Sequence, residues 1–220
     1  MKTIKELLSK LEYGCICGEA DKEITQVVYD SRKIVEGCLF ICIKGANFNG
    51  HDYAAEACEK KAACIVVCED VNVPDGCDTT IIRVEDTRYA MAFISAAWFG
   101  NPAEKLNVIG ITGTKGKTTT TYLVKSILEQ AGKKVGLIGT IETIIGEERI
   151  PANNTTPESY ILQETFAKMV EAGLDSVVME VSSQGLMLHR TQGFVFDIGI
   201  FTNLEPDHIG PNEHESFEDY

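Results

Sequence analysis

The residues best suited to chemistry stand in Gly113-Thr114-Lys115-Gly116-Lys117-Thr118-Thr119, between the apolar run VIGIT and a stretch of helical pattern. Glycines allow a tight turn in which successive backbone N–H groups face one anion. A helix that starts there adds the partial positive charge of its N-terminus. In such a turn Lys117 reaches the terminal phosphates of a nucleotide, and the Thr118 hydroxyl is a ligand for Mg²⁺. The strict pattern GxxxxGK[ST] is not met, because Ile111 stands where its first glycine belongs; the glycines are Gly110, Gly113 and Gly116. Strand, Gly-rich turn, GKT and helix in succession still predict a nucleotide-binding loop.

Three further groups have side chains that could take part in chemistry. Glu180 closes the apolar run of DSVVMEVS, where a carboxylate is either an ordinary strand-end acid or a metal ligand. His208 stands in Asn203-Leu204-Glu205-Pro206-Asp207-His208 and reads either as a loop histidine or as a ligand. Asp30-Ser31-Arg32 has the residue types of an Asx-type turn. His51, His189 and His214 read as structural or exposed.

The elements that must hold these residues fall into two segments. From about residue 24 to 84 the apolar runs ITQVVY, CLFICI, CIVVC and TTIIRV surround a helical YAAEACEKKAA, the pattern of a small α/β domain. Before them, MKTIKELLSKLEYG reads as a short amphipathic helix. Asp86 is a candidate N-cap for a helix through Trp98 with Ala90, Phe93, Ile94, Ala97 and Trp98 on its apolar face. Gly100-Asn101-Pro102 ends that helix, which sets a domain boundary near residue 103 and gives domains 1–103 and 104–220. The second segment alternates strands (KLNVIGIT, KKVGLIGT, DSVVMEVS, FDIGIFTNL) with helices over about 117–131 and 157–172. That rhythm predicts a parallel sheet covered on both faces, with ligands at the carboxyl ends of its strands.

The chain has 220 residues, 44% of them hydrophobic, enough for packed cores. A net charge of −13 argues against a nucleic-acid partner but leaves room for a locally held phosphate. The first residues do not read as a signal peptide and no apolar run reaches membrane-spanning length, so the expected location is the cytoplasm, with no membrane partner and no obligatory protein partner evident. The eight cysteines include no CxxC pair and read as buried reduced thiols.

The loop GITGTKGKTTT closely resembles that of the Mur ligases, which depart from the strict pattern in the same way and usually carry Asn where Lys115 stands. Asn154-Thr155-Thr156-Pro157-Glu158, the stretch Met179-Glu180-Val181-Ser182-Ser183-Gln184-Gly185-Leu186, and Arg190 resemble the MurE-type branch. Asp30-Ser31-Arg32 and GCLFICIKGANFNGHDY resemble the part of those enzymes that grips UDP. A generic P-loop NTPase or kinase would share the loop alone.

The resemblance implies an α/β chain with a small amino-terminal UDP-binding domain followed by an incomplete P-loop parallel-sheet central domain. It implies ATP and Mg²⁺ as cofactors. The reaction implied joins a third amino acid, L-lysine or meso-diaminopimelate, to UDP-N-acetylmuramoyl-L-alanyl-D-glutamate through an acyl phosphate, in peptidoglycan precursor synthesis. Residue by residue, Gly113, Thr114, Lys115, Gly116, Lys117, Thr118 and Thr119 would hold ATP. Lys117, Glu180 and His208 would be catalytic, and Thr118, Glu180 and His208 would hold metal. Ser31, Arg32, Ala46, Asn47 and Phe48 would line the UDP pocket. Asn154, Thr155, Thr156, Ser182 and Arg190 would contact the sugar–peptide portion, while Leu188 replaces a substrate-contacting Gln of some relatives. The family's carbamylated lysine and its third, amino-acid-delivering domain have no counterpart in these residues. The expectation is therefore a truncated chain that binds ligand in part without turnover, or a non-catalytic binding homologue.

Overall fold

In the computed structural model, which describes residues 1–45, 48–210 and 214–220, the chain divides into two units, Met1–Trp98 and Phe99–Tyr220. The division precedes the Gly100-Asn101-Pro102 stop rather than following it at residue 103.

The first unit contains β1 (Lys2–Thr3), α1 (Ile4–Leu7), β2 (Gly14–Cys17), β3 (Glu23–Ile24), β4 (Gln26–Val28), β5 (Cys38–Ile41), α2 (Ala54–Glu59), β6 (Cys64–Val67), β7 (Thr80–Arg83) and α3 (Thr87–Trp98). Strands β4, β5, β6 and β7 are parallel, and β2 adds antiparallel to β7, giving the order β2-β7-β6-β5-β4. Every residue of β5 and β6 is buried, as continuous apolar strands covered on both faces must be. Phe40, Ile65 and Val67 pack with Ala54 and Ala57 of α2 in one cluster. Asp86 does cap α3, its Oδ1 accepting from the N–H groups of Arg88 (2.6 Å) and Tyr89 (2.9 Å). The buried face of α3 is broader than its pattern suggests and includes Met91, Ala92, Ser95 and Ala96.

Two expectations need correction here. The amino-terminal helix is only Ile4–Leu7, closed at its start by a Thr3–Glu6 capping box; β1 pairs with β3 and the GCIC run is an edge strand. The cysteines are not all free: Cys58 at the end of α2 and Cys77 form a disulfide, their Cα atoms 5.9 Å apart. Cys38, Cys42 and Cys64 are free and buried, and burial pushes the Cys42 and Cys64 thiols upward, so they pack as small apolar side chains.

The second unit contains β8 (Asn107–Thr112), α4 (Lys117–Gln130), β9 (Val135–Ile138), β10 (Glu142–Ile145), β11 (Glu148–Pro151), α5 (Ser159–Glu171), β12 (Ser176–Glu180), α6 (Ser183–Met187) and β13 (Ile198–Phe201). The sheet order is β11-β10-β9-β12-β8-β13. Strands β9, β12, β8 and β13 are parallel. The sheet is not wholly parallel, because β10 and β11 form an antiparallel hairpin at one edge. Its two-residue turn, Gly146-Glu147, needs the positive φ (59°) that Gly146 supplies.

Alternation along β8 sorts the core. Val108 faces a cluster with Leu162, Phe166 and Met169 of α5, whereas Ile109 and Ile111 face Val124 and Leu128 of α4. One helix thus covers each face, and the carboxyl ends of β8, β12 and β9 are left side by side.

Candidate functional site

The loop after β8 has the backbone its glycines permit. Gly113 (φ 128°) and Gly116 (φ 83°) occupy conformations that L side chains avoid. A Cβ on Gly113 would lie 2.8 Å from the Asn203 carbonyl oxygen, so the close approach also demands glycine. Gly116 is the N-cap of α4 and gives no side-chain cap, which leaves the first-turn N–H groups available to an anion. Lys117 opens the helix and folds back, donating to the carbonyls of Gly113 (2.6 Å) and Thr114 (3.1 Å).

The loop is clasped from the segment that follows β13. The N–H of Thr114 donates to Asn203 O and that of Lys115 to Asn203 Oδ1, each at 3.0 Å. The Lys115 carbonyl accepts from Thr202 (2.8 Å) and Asn203 (3.0 Å). The hydroxyl of buried Thr114 accepts the Glu205 N–H at 2.9 Å, with the Tyr220 hydroxyl 2.9 Å away. Lys115 forms an ion pair with Glu205, whose hydrogen bond and charge raise the lysine pKa. The extra cation in the loop therefore has its own counter-ion.

Glu180, at the end of β12, is 1% exposed. Its Oε2 accepts from the Thr118 hydroxyl at 2.9 Å and the Thr140 hydroxyl at 3.1 Å; its Oε1 accepts from the Thr140 N–H at 2.8 Å. Parallel pairing produces this meeting, since Glu180 lies opposite Ile111 and Met179 opposite Ile138. Gly139 leaves room for this carboxylate, since a Cβ there would lie 2.5 Å from Glu180 Oε1. Sequence reasoning missed Thr140 and Gly139, although they too follow directly on an apolar strand.

Beside this carboxylate opens a cavity of ≈ 300 Å³ that gathers Asn154, Thr155, Thr156, Ser182, Arg190 and His208. The Thr156 hydroxyl is fully buried, donates to Glu180 O (3.0 Å) and accepts from the Ser182 N–H (2.9 Å), tying NTTP to EVSS. The Ser182 hydroxyl caps α6 through the Gly185 N–H (3.1 Å). Arg190 directs Nε (3.1 Å) and Nη2 (2.9 Å) at Glu158, and Nη1 at Thr156 O (3.1 Å). Three of its five N–H donors are thus engaged, and Glu158 is a partner that no motif announces. A smaller cavity, ≈ 140 Å³, is lined by Gly113, Lys117, Ser182, Phe201, His208 and Tyr220. His208 borders both, in a left-handed backbone conformation (φ 55°), with its ring 5.8 Å from that of Tyr220.

Thr118 and Glu180 present hard oxygen donors to one point, a donor set that suits Mg²⁺, which keeps several waters and takes phosphate oxygens as further ligands. Among the described residues no three His, Cys, Asp or Glu side chains converge as a metal cage.

In the first unit Asp30-Ser31-Arg32 is a tight turn. Asp30 accepts from the Arg32 N–H (3.0 Å), Nε (2.9 Å) and Nη2 (2.7 Å), and the Arg32 hydrogen bonds hold its carboxyl down at about 2. Phe48 is 63% exposed. Ser31, Arg32 and Phe48 line neither cavity, and Ala46 and Asn47 lie outside the described residues. His51 proves structural: 6% exposed, it donates from Nδ1 to Asn49 Oδ1 (2.7 Å) and accepts the Cys68 N–H at Nε2 (3.1 Å).

Comparison with known proteins matches residues 111–220 to the Mur ligase middle domain and residues 23–99 to the description "Mur ligase family, catalytic domain". Among similar curated proteins is the UDP-N-acetylmuramoyl-L-alanyl-D-glutamate–2,6-diaminopimelate ligase of Clostridium perfringens, 49% identical over 99% of this chain and 44% of its own length. The counterpart in Bacillus licheniformis is 46% identical over 100% of this chain and 44% of its own length. The chain thus spans less than half the length of these relatives. A solved structure of a ligase of the same name superposes with a TM-score of 0.81 at 23% identity, covering 100% of this chain and 43% of its own. A MurF ligase from Thermotoga maritima, solved in complex with ADP, superposes at 0.54 with 24% identity over 83% of this chain and 38% of its own. These superpositions establish the shared α/β fold.

Proposed function

Since the chain belongs to the Mur ligase family, we propose that it provides the nucleotide-binding loop and part of the substrate cleft of an ATP-dependent ligase that adds diaminopimelate to UDP-N-acetylmuramoyl-L-alanyl-D-glutamate. The observation that carries this is the Thr118–Glu180 hydrogen bond, which sets a phosphate loop and a buried carboxylate beside the cleft of Thr155, Thr156, Ser182 and Arg190. Diaminopimelate, rather than lysine, is favoured by the names of the relatives at 43–49% identity.

The overall reaction activates a substrate carboxylate as an acyl phosphate, which the amine of the incoming amino acid then opens with loss of phosphate. Such chemistry brings anions together, so the protein contributes cations, donors and exclusion of water rather than a nucleophile. The α4 N-terminus and Lys117 would cradle the phosphates, with the lysine exchanging loop carbonyls for phosphate oxygens. Thr118 and Glu180 would hold Mg²⁺, which supplies charge neutralisation when bound, and His208 would approach the same region from its loop. Arg190 would turn its two remaining N–H donors to a substrate carboxylate, helped by Ser182 and flanked by Asn154 and Thr155. In the first unit Ser31, Arg32, Ala46, Asn47 and Phe48 would receive the uridine diphosphate portion.

Calorimetric titration with UDP-N-acetylmuramoyl-L-alanyl-D-glutamate, and separately with ATP and Mg²⁺, tests the proposal. Saturable binding of both is expected, with the sugar nucleotide lost in Ser31→Ala/Arg32→Ala and ATP lost in Lys117→Ala. A folded chain that binds neither sinks it.

A further inference from the structure

His214 borders the 300 Å³ cleft together with Thr140, Ser182, Arg190 and His208, although its sequence context suggests only a structural or exposed residue. It is 6% exposed. Its Nδ1 lies 2.9 Å from Asp219 Oδ2, and that carboxylate also accepts the Glu215 N–H at 3.3 Å. A carboxylate accepts at this contact, which places a proton on Nδ1; when the ring is neutral, its other nitrogen is an acceptor. That nitrogen, Nε2, is buried and has no hydrogen-bond partner among the described residues. A buried acceptor left unpaired has lost its water and gained nothing in return.

No neighbouring side chain among the described residues is paired with Nε2. The Tyr220 ring is 5.3 Å from that of His214, but its hydroxyl is hydrogen-bonded to Thr114. Arg190 faces Glu158 and Thr156, and the Ser182 hydroxyl lies 3.1 Å from that of Thr156. The backbone fixes the ring's place independently of any ligand: the His214 N–H donates to His208 O (3.1 Å) and its carbonyl accepts from the Gly210 N–H (3.2 Å). His214 therefore borders the cleft with a ring nitrogen whose partner the described residues do not supply.

We propose that His214 is a ligand-contacting residue of this cleft, its Nε2 accepting a hydrogen bond from an N–H or O–H of the bound substrate. Resting on the ligase reading above, this adds a donor-recognising position to a cleft otherwise assigned to carboxylate and phosphate. Amide N–H and hydroxyl groups of the sugar peptide, or the amine of the incoming amino acid, have the required chemistry.

The test is calorimetric titration of the chain with UDP-N-acetylmuramoyl-L-alanyl-D-glutamate and, in a second arm, with meso-diaminopimelate. His214→Asn keeps a polar group where Nδ1 meets Asp219 and removes the one at Nε2; His214→Gln does the reverse. His214→Asn is expected to weaken binding about tenfold for the ligand whose donor it meets, with His214→Gln close to wild type. Wild-type affinity of His214→Asn for both ligands, or equal losses in the two variants, overturns the proposal. Should a variant fail to fold, ¹⁵N-histidine spectra of the wild type decide: the His214 Nε2 resonance must move when ligand binds, and a fixed resonance under saturating ligand overturns the proposal. A wild-type chain that binds neither ligand removes the ligase reading and this inference together, whereas normal wild-type binding with an indifferent His214→Asn removes this inference alone.

Discussion

The hydroxyl of Thr118, in the first turn of α4, donates to Glu180 at the end of β12 across 2.9 Å, although 62 positions separate them. The contact joins the first turn of α4 to the end of β12, and it puts two oxygen donors where a hard cation could take both.

Glu180→Gln retains an acceptor for Thr140 and Thr118 but removes the charge. Binding of a fluorescent ATP analogue should lose most of its enhancement by Mg²⁺, by roughly 10–100-fold in metal affinity, the range seen for perturbed metal shells. An unchanged Mg²⁺ dependence would exclude Glu180 as a metal ligand.

Gly139→Ala places a methyl 2.5 Å from Glu180 Oε1, so the carboxylate has to shift and give up its hydrogen bond from the Thr140 N–H. Nucleotide affinity should fall while β9 and the rest of the sheet persist. The check is ATP titration beside far-ultraviolet circular dichroism. Full affinity with intact structure would show that Glu180 moves aside without consequence.

Burial lowers the pKa of His51 below 6.5, and its neutral ring serves Asn49 and Cys68. The unfolded chain therefore binds the proton first as pH falls. The stability His51 contributes is complete above pH 6.5 and is lost as pH drops toward the depressed folded value, with a slope of at most about 1.4 kcal/mol per pH unit. Denaturant unfolding from about pH 7.5 to 5, a range spanning the ordinary histidine pKa, should show that slope in the wild type and a smaller one in His51→Gln. Equal slopes would assign the acid sensitivity to other groups.

Phe166 is fully buried between α5 and the sheet, with the Phe194 ring 5.1 Å away in an edge-on arrangement. Phe166→Ala should destabilise the second unit by about 3–5 kcal/mol. Urea titration measures this, and a loss under about 1 kcal/mol would mean the site is not a packed core.

What can be read from the sequence follows the physics of each element. The runs that form β5, β6, β8 and β12 are legible because strands buried on both faces leave uninterrupted apolar stretches. The GKT turn is legible because few backbones need that many glycines ahead of a helix. The β10–β11 hairpin is not, since β11 is wholly exposed and Glu148-Arg149-Ile150-Pro151 carries no alternation. Pairings between distant side chains are equally silent: Cys58 with Cys77, Arg190 with Glu158, Lys115 with Glu205. Thr140 obeys the rule that polar residues after parallel strands matter, but it sits in no motif that would single it out.

The clasp on the phosphate loop bears on the order in which the protein becomes competent. The hydrogen bonds shaping Thr114 and Lys115 come from residues 88 to 91 positions later, so the loop cannot acquire its final form from local preferences. Closing so long a stretch of chain carries an entropic cost that must be met before those contacts form, and distant pairing is the slow part of folding. The final shape of this loop is thus expected to form late in folding, once β13 has docked beside β8. A chain still being synthesised would present these glycines and this lysine well before the residues that shape their loop had emerged.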